Sequence, residues 1–191
     1  ARFAATRMSH HADTNASHSP LLSEHLDALR EASALGPIVD LACGSGRNGL
    51  FLARLGLPVV FADHSQEALD GVERELRSQH LPGETWHVDL EGGTGDPLAG
   101  RHFGAALVFR YLHRPLMPHL RAAIVPGGLV VYETFTVRNL QYGRPNNPDF
   151  LLRRGELVET FAGWTTLHAF EGFLPDPDRE VAQIVCRKPL S

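Results

Sequence analysis

The residues best equipped for chemistry begin with one short run, Gly44-Ser45-Gly46-Arg47-Asn48-Gly49. Glycines at this spacing let the backbone turn sharply and come within contact distance of a ligand. A helix opening there offers unpaired N–H groups to it. Asp63 follows about twenty residues on, where an acid can accept hydrogen bonds from both hydroxyls of a ribose. The pattern therefore asks for a nucleoside-bearing cofactor, and two classes compete. A nicotinamide or flavin dinucleotide fits the spacing and would make the chain an NAD(P)-dependent oxidoreductase. S-adenosylmethionine fits as well, and Asp40 favours it. A carboxylate just before the first glycine repels a pyrophosphate but attracts the cationic α-amino group of methionine. Asp89 adds an acceptor for an adenine amino group.

A second cluster is Phe109-Arg110-Tyr111-Leu112-His113-Arg114-Pro115. His113 suits general-base work near neutral pH or simply starts a helix. Tyr111 presents either a ring and hydroxyl to the reacting group or a core side chain. The stretch from Thr136 to Phe150 is long and polar and follows an apolar run, which predicts a loop covering the pocket. Arg144 in that loop, together with Arg110 and Arg114, would favour an anionic acceptor.

These residues need elements to hold them, and the periodicity supplies an alternating series. Leu21, Leu22, Leu26 and Leu29 have helical spacing, broken by Gly36-Pro37. Short apolar runs predict strands at 38–42, 58–62, 85–88, 103–109 and 129–135. Helical patterns fall between them, at Leu50–Leu55, Ser65–Gln79 and Leu116–Ile124. A helix over 154–161 and strands at 165–173 and 180–187 complete the chain, with Pro175-Asp176-Pro177-Asp178 as the turn of a final hairpin. The expected fold is α/β, a Rossmann-like, doubly wound open sheet of about seven strands, mostly parallel, with an antiparallel C-terminal hairpin strand. In such sheets ligands sit beyond the carboxyl ends of the strands, which is where the glycine run and the three acids fall.

The 191 residues suit a single domain over 20–191 behind a flexible N-terminal arm, 1–19. With 18 basic against 22 acidic residues, the chain lacks the cationic excess of a nucleic-acid binder. No apolar run approaches the ~20 residues of a membrane-spanning helix. Two distant cysteines, Cys43 and Cys186, fit a reducing, cytoplasmic compartment. His10, His11, His18 and His25 match no metal-ligand spacing, so no metal is expected.

Asp40-Leu41-Ala42-Cys43-Gly44-Ser45-Gly46-Arg47-Asn48 and Val60-Phe61-Ala62-Asp63-His64-Ser65 together resemble the class I S-adenosylmethionine-dependent methyltransferases. The Gly-Arg-Asn turn and the Asp-His pair are most similar to the tellurite-resistance-type enzymes of that superfamily. Pro126-Gly127-Gly128 resembles the superfamily's turn before the fifth strand. The resemblance implies that Gly44 and Gly46, with Cys43 and Asn48 in the same turn, underlie the methionine part, and that Asp40 helps hold its amino group. It implies that Asp63, followed by His64, binds the ribose, that Asp89 and the Leu90 backbone bind adenine, and that the backbone near Phe109 and Arg110 completes the pocket. Tyr111, His113 and Arg144 become the candidate catalytic residues. The implied reaction moves a methyl group to a small acceptor, anionic or thiol/chalcogen-like. A non-catalytic S-adenosylmethionine-binding scaffold remains the alternative from outside enzymology. Ala42, where glycine is frequent, and Phe103-Gly104, lacking the usual acid, depart from the superfamily pattern.

Overall fold

In the computed structural model, which describes residues 17–191, seven strands form one sheet in the order β3-β2-β1-β4-β5-β7-β6. The strands are β1 (Ile38–Leu41), β2 (Val59–Asp63), β3 (Gly83–His87), β4 (Phe103–Phe109), β5 (Ile124–Phe135), β6 (Thr165–Leu174) and β7 (Arg179–Arg187). The first five pair in parallel, while β7 runs antiparallel to both β5 and β6. The helices are α1 (Pro20–Glu24), α2 (Leu26–Ser33), α3 (Arg47–Arg54), α4 (Gln66–Ser78), α5 (Met117–Ala123) and α6 (Glu156–Thr160). The strand order reverses between β1 and β4, which opens a crevice at their carboxyl ends.

Side chains alternate across a strand, and the apolar runs divide accordingly between two cores. Val39, Leu41, Ala106, Val108, Val130 and Tyr132 pack with α5 and α6 on one face. Ile38, Phe61, Ala105, Leu107, Leu129 and Val131 pack with α1–α4 on the other. Strands buried on both faces read as unbroken apolar runs, so the central strands are legible in the sequence.

The departures from expectation are local. The first helical pattern is two helices, because His25 leaves helical geometry at φ −115°, ψ 25°. The fifth strand begins at Ile124 rather than Leu129, so Pro126-Gly127-Gly128 lies within β5. The last helix is only Glu156–Thr160, started by Gly155 in a left-handed conformation. Ser65 sits just outside α4, its Oγ accepting from the Ala68 N–H at 3.2 Å. Ser19 similarly accepts from Leu21 N at the start of α1. The end of the expected arm is therefore built into the domain. Residues 1–16, with His10 and His11, lie outside the described residues.

Candidate active site

The glycine turn links the end of β1 to α3. Gly44 and Gly46 have φ of +54° and +75°, a left-handed geometry that glycine adopts without the Cβ clash of other residues. An added Cβ on Gly44 would meet nothing within 4 Å, so this face of the turn opens on free space. Gly49 has a different reason. A Cβ there would overlap the Phe61 ring and lie 2.8 Å from Asp40 Oδ2, so glycine lets α3 close onto the sheet.

The acids are already part of this scaffold. Asp40 is buried on the α3 side of β1, and its Oδ2 accepts from Gly49 N at 3.0 Å. Burial raises its carboxyl to about 7, against the Gly49 hydrogen bond and the Arg47 charge. Asp63 accepts from Gly44 N at 2.8 Å and from Ser65 N at 2.9 Å, one bond to each oxygen. A carboxylate has about four acceptor positions, which leaves capacity on both oxygens. His64 Nδ1 lies 3.3 Å from Asp63 Oδ1.

A narrow cavity runs along the ends of β1, β2 and β3. Ala42, Asp63, His64, Asp89, Leu90 and Tyr111 line it. The Tyr111 hydroxyl is buried without a hydrogen-bond partner. Burial, followed by the nearby Glu91 carboxylate, raises its pKa. An orphaned hydroxyl beside carboxylates fits a pocket built for a polar ligand such as a nucleoside.

A larger, more open cavity lies on the other side of the β4 end, formed by α1, α3, β5 and the β6–β7 hairpin. Arg110 lines it, whereas the next residue, Tyr111, lines the narrow cavity. Arg110 has φ +54°, and its N–H donates to the Glu133 carbonyl at 2.9 Å. Strained non-glycine backbone of this kind concentrates at functional sites.

Other expected residues stand elsewhere. Asn48 is buried, and its Oδ1 accepts from Ser19 N at 2.8 Å. Cys43 packs partly against the α-side core, its N–H donating to Ala62 O at 3.1 Å, and burial raises its thiol pKa. Phe109 belongs to that same core. His113 precedes the 3-10 turn Arg114–Leu116, and its carbonyl accepts from Leu116 N. Arg144 is exposed on the loop after β5. His113 and Arg144 line neither cavity. The expected convergence of Arg110, Arg114 and Arg144 fails at Arg114, whose guanidinium is spent on Glu156 (2.6 and 2.9 Å) and on the Asp149 and Leu151 carbonyls.

Sequence reasoning passed over Glu133, Gln183 and the segment around Ser17–Pro20, all of which line the large cavity. Arg47 Nη1 donates to Ser17 O at 2.7 Å, and the His18 ring stacks on Phe51 at 3.5 Å between centroids. Glu133 carried a usable signal: like Asp40, it interrupts an apolar strand.

The sheet order, the glycine turn after β1 and the acids ending β2 and following β3 are those of the S-adenosylmethionine-dependent methyltransferase fold. A methyltransferase of this type from Methanosarcina mazei superposes with a TM-score of 0.67 at 16% identity, covering 92% of this chain and 100% of the other. The chain belongs to the family described as tellurite resistance protein TehB, whose pattern matches residues 8–173. A curated relative, the probable S-adenosyl-L-methionine-dependent methyltransferase TehB of Haemophilus influenzae, is 26% identical over 98 residues. That match spans 50% of this chain and 34% of the relative. The crystal structure of TehB from Haemophilus influenzae aligns with a TM-score of 0.66 and 22% identity, over 86% of this chain and 62% of that one. Among the described residues, no helix is long and apolar enough to cross a membrane.

Proposed function

We propose that this chain transfers a methyl group from S-adenosylmethionine to a small acceptor, anionic or thiol/chalcogen-like. The observation that carries the reading is the divergence of two consecutive residues after β4: Tyr111 borders the narrow cavity and Arg110 the large one. Cofactor and acceptor then meet across the end of that strand.

The cofactor supplies an electrophilic methyl group on a sulfonium sulfur. The chain's own task is binding, alignment and exclusion of water, since positioning provides most of the acceleration of an in-line displacement. Gly44 offers a side-chain-free surface to the methionine part, with Asp40 beneath it, while Gly46, where a Cβ would meet Val72 and Phe61, lets the same turn pack down on the core. Asp63 takes the ribose hydroxyls on its remaining lone pairs, and His64 flanks it. Asp89 and the Leu90 backbone take adenine. The Tyr111 hydroxyl gains its missing partner from the cofactor, a binding role in place of the catalytic one expected for it. Arg110, whose side chain has no polar partner among the described residues, holds the acceptor by its charge. Arg144 and His113 stay outside this contact set. The family's name points to tellurite, an oxyanion, in keeping with a cationic acceptor site. Two free cysteines accord with action in the cytoplasm.

The test is release of S-adenosylhomocysteine from S-adenosylmethionine over chalcogen oxyanions, thiols, carboxylates and neutral amines. Turnover of oxyanions or thiols is expected. Turnover of amines alone would overturn the acceptor class, and cofactor binding with no turnover at all would favour a scaffold.

A further inference from the structure

The large cavity holds a second group that the reading above leaves idle. Glu133 is only 8% exposed, at the carboxyl end of β5, and it borders the same cavity as Arg110. Its Oε2 accepts from Gln183 Nε2 at 2.6 Å, and Gln183 Oε1 is bonded to His168 Nε2 at 2.9 Å. This chain fixes the carboxylate in place and leaves Oε1 without a partner among the described residues.

Glu133 and Arg110 are neighbours across the β4–β5 pairing, joined through the Arg110 N–H and the Glu133 carbonyl. Their side chains nevertheless form no ion pair, although opposite charges this close would ordinarily neutralise each other. The other two arginines of the cavity are tied to carbonyls, Arg47 to Ser17 and Arg179 to Pro175 and Pro177. A buried carboxylate and a free guanidinium, held apart beside one void, are pre-set for a ligand that answers both.

We propose that Glu133 is a specificity-determining and catalytic residue, and that the acceptor is a monoanion whose nucleophilic atom carries a proton. The anionic group binds Arg110, while the X–H group donates to Glu133 Oε1. In the transfer step the proton passes to Oε1, and the freed lone pair on X forms the bond to the methyl carbon. The methyl–sulfur bond breaks with its electron pair left on sulfur, giving neutral S-adenosylhomocysteine. Glu133 then releases the proton to solvent. A bare dianion is disfavoured, since it would set a second negative charge against the buried carboxylate.

This inference rests on the methyltransferase reading, and the experiment separates the two. Calorimetry on the full chain first measures S-adenosylhomocysteine binding. The loaded protein is then titrated with 3-mercaptopropionate, which has thiol and anion, with 2-mercaptoethanol, which lacks the anion, and with 3-(methylthio)propionate, which lacks the donor. Wild type should bind 3-mercaptopropionate at least tenfold more tightly than either other probe. Glu133→Gln should erase the preference over 3-(methylthio)propionate and cut methyl transfer to the thiol acid at least tenfold. Its S-adenosylhomocysteine affinity should stay within twofold, which also reports that the variant is folded. Equal binding of all three probes, no binding of any, or full transfer by Glu133→Gln would overturn the proposal. Failure to bind S-adenosylhomocysteine would instead overturn the reading beneath it.

Discussion

Asp63 and Gly44 are joined by a hydrogen bond of 2.8 Å from the glycine N–H to the carboxylate, so the acid ending β2 holds the turn that follows β1. On the proposed reading, ribose recognition and the shape of the methionine site therefore depend on one side chain.

Replacing Asp63 by Ala should lower S-adenosylhomocysteine affinity at least about tenfold, because hydrogen bonds to charged groups are worth ~1.5–3 kcal/mol each. The protein should still fold, with a melting temperature several degrees lower, at about 2–4 °C per kcal/mol for a domain of this size. Calorimetry and thermal denaturation read the two effects. An unchanged affinity in a folded variant would remove Asp63 from the cofactor site.

Two glycines of the same turn should fail differently. Gly49→Ala forces a methyl group against Phe61 and Asp40 and should cost ~1–3 kcal/mol of stability. Gly44→Ala meets no atom within 4 Å, so its main effect should be weaker cofactor binding, plus ~1–2 kcal/mol for the left-handed backbone. Urea denaturation and binding of S-adenosylhomocysteine distinguish them, and a stability loss at Gly44 larger than at Gly49 would contradict the packing argument.

Asp40 should mark the pH dependence of stability. Burial raises its folded carboxyl to about 7, so between about pH 4 and pH 7 the folded protein holds a proton that the unfolded chain has lost. This contribution makes stability fall as pH rises through that window, by at most about 1.4 kcal/mol per pH unit. Asp40→Asn keeps an acceptor for Gly49 N and should remove the slope. Parallel slopes for wild type and variant in urea titrations would contradict the assignment.

Arg114 should prove structural. Burial opposes the charge on Glu156, but hydrogen bonds from Arg114 and Arg153 outweigh it and hold the carboxyl at about 2. The resulting stability is complete above the ordinary glutamate pKa and is lost as pH falls from about 4.5 towards 2. Arg114→Leu should destabilise the protein by ~1–3 kcal/mol, allowing for the partial exposure of the pair. It should also flatten the acid limb and leave S-adenosylhomocysteine affinity intact. A loss of affinity without a loss of stability would return Arg114 to the binding site.

The strands carrying the site could be read from the sequence because burial on both faces makes them continuous apolar runs, and β4 agrees in full, Phe103–Phe109. Asp40, Asp63 and Asp89 were conspicuous because they end or interrupt such runs. Side-chain direction was less legible. Asn48 turns to Ser19, and Arg114 to Glu156, through contacts 29 and 42 residues distant in sequence, which no local pattern encodes. Glu133 had a visible signal, but its bond to Gln183 exists only because β7 pairs with β5.

The most direct test of the central claim is calorimetric titration with S-adenosylmethionine, S-adenosylhomocysteine and reduced nicotinamide dinucleotides. Saturable binding of the first two is expected, and none of the dinucleotides. Saturable dinucleotide binding, with no binding of S-adenosylmethionine, would contradict the claim.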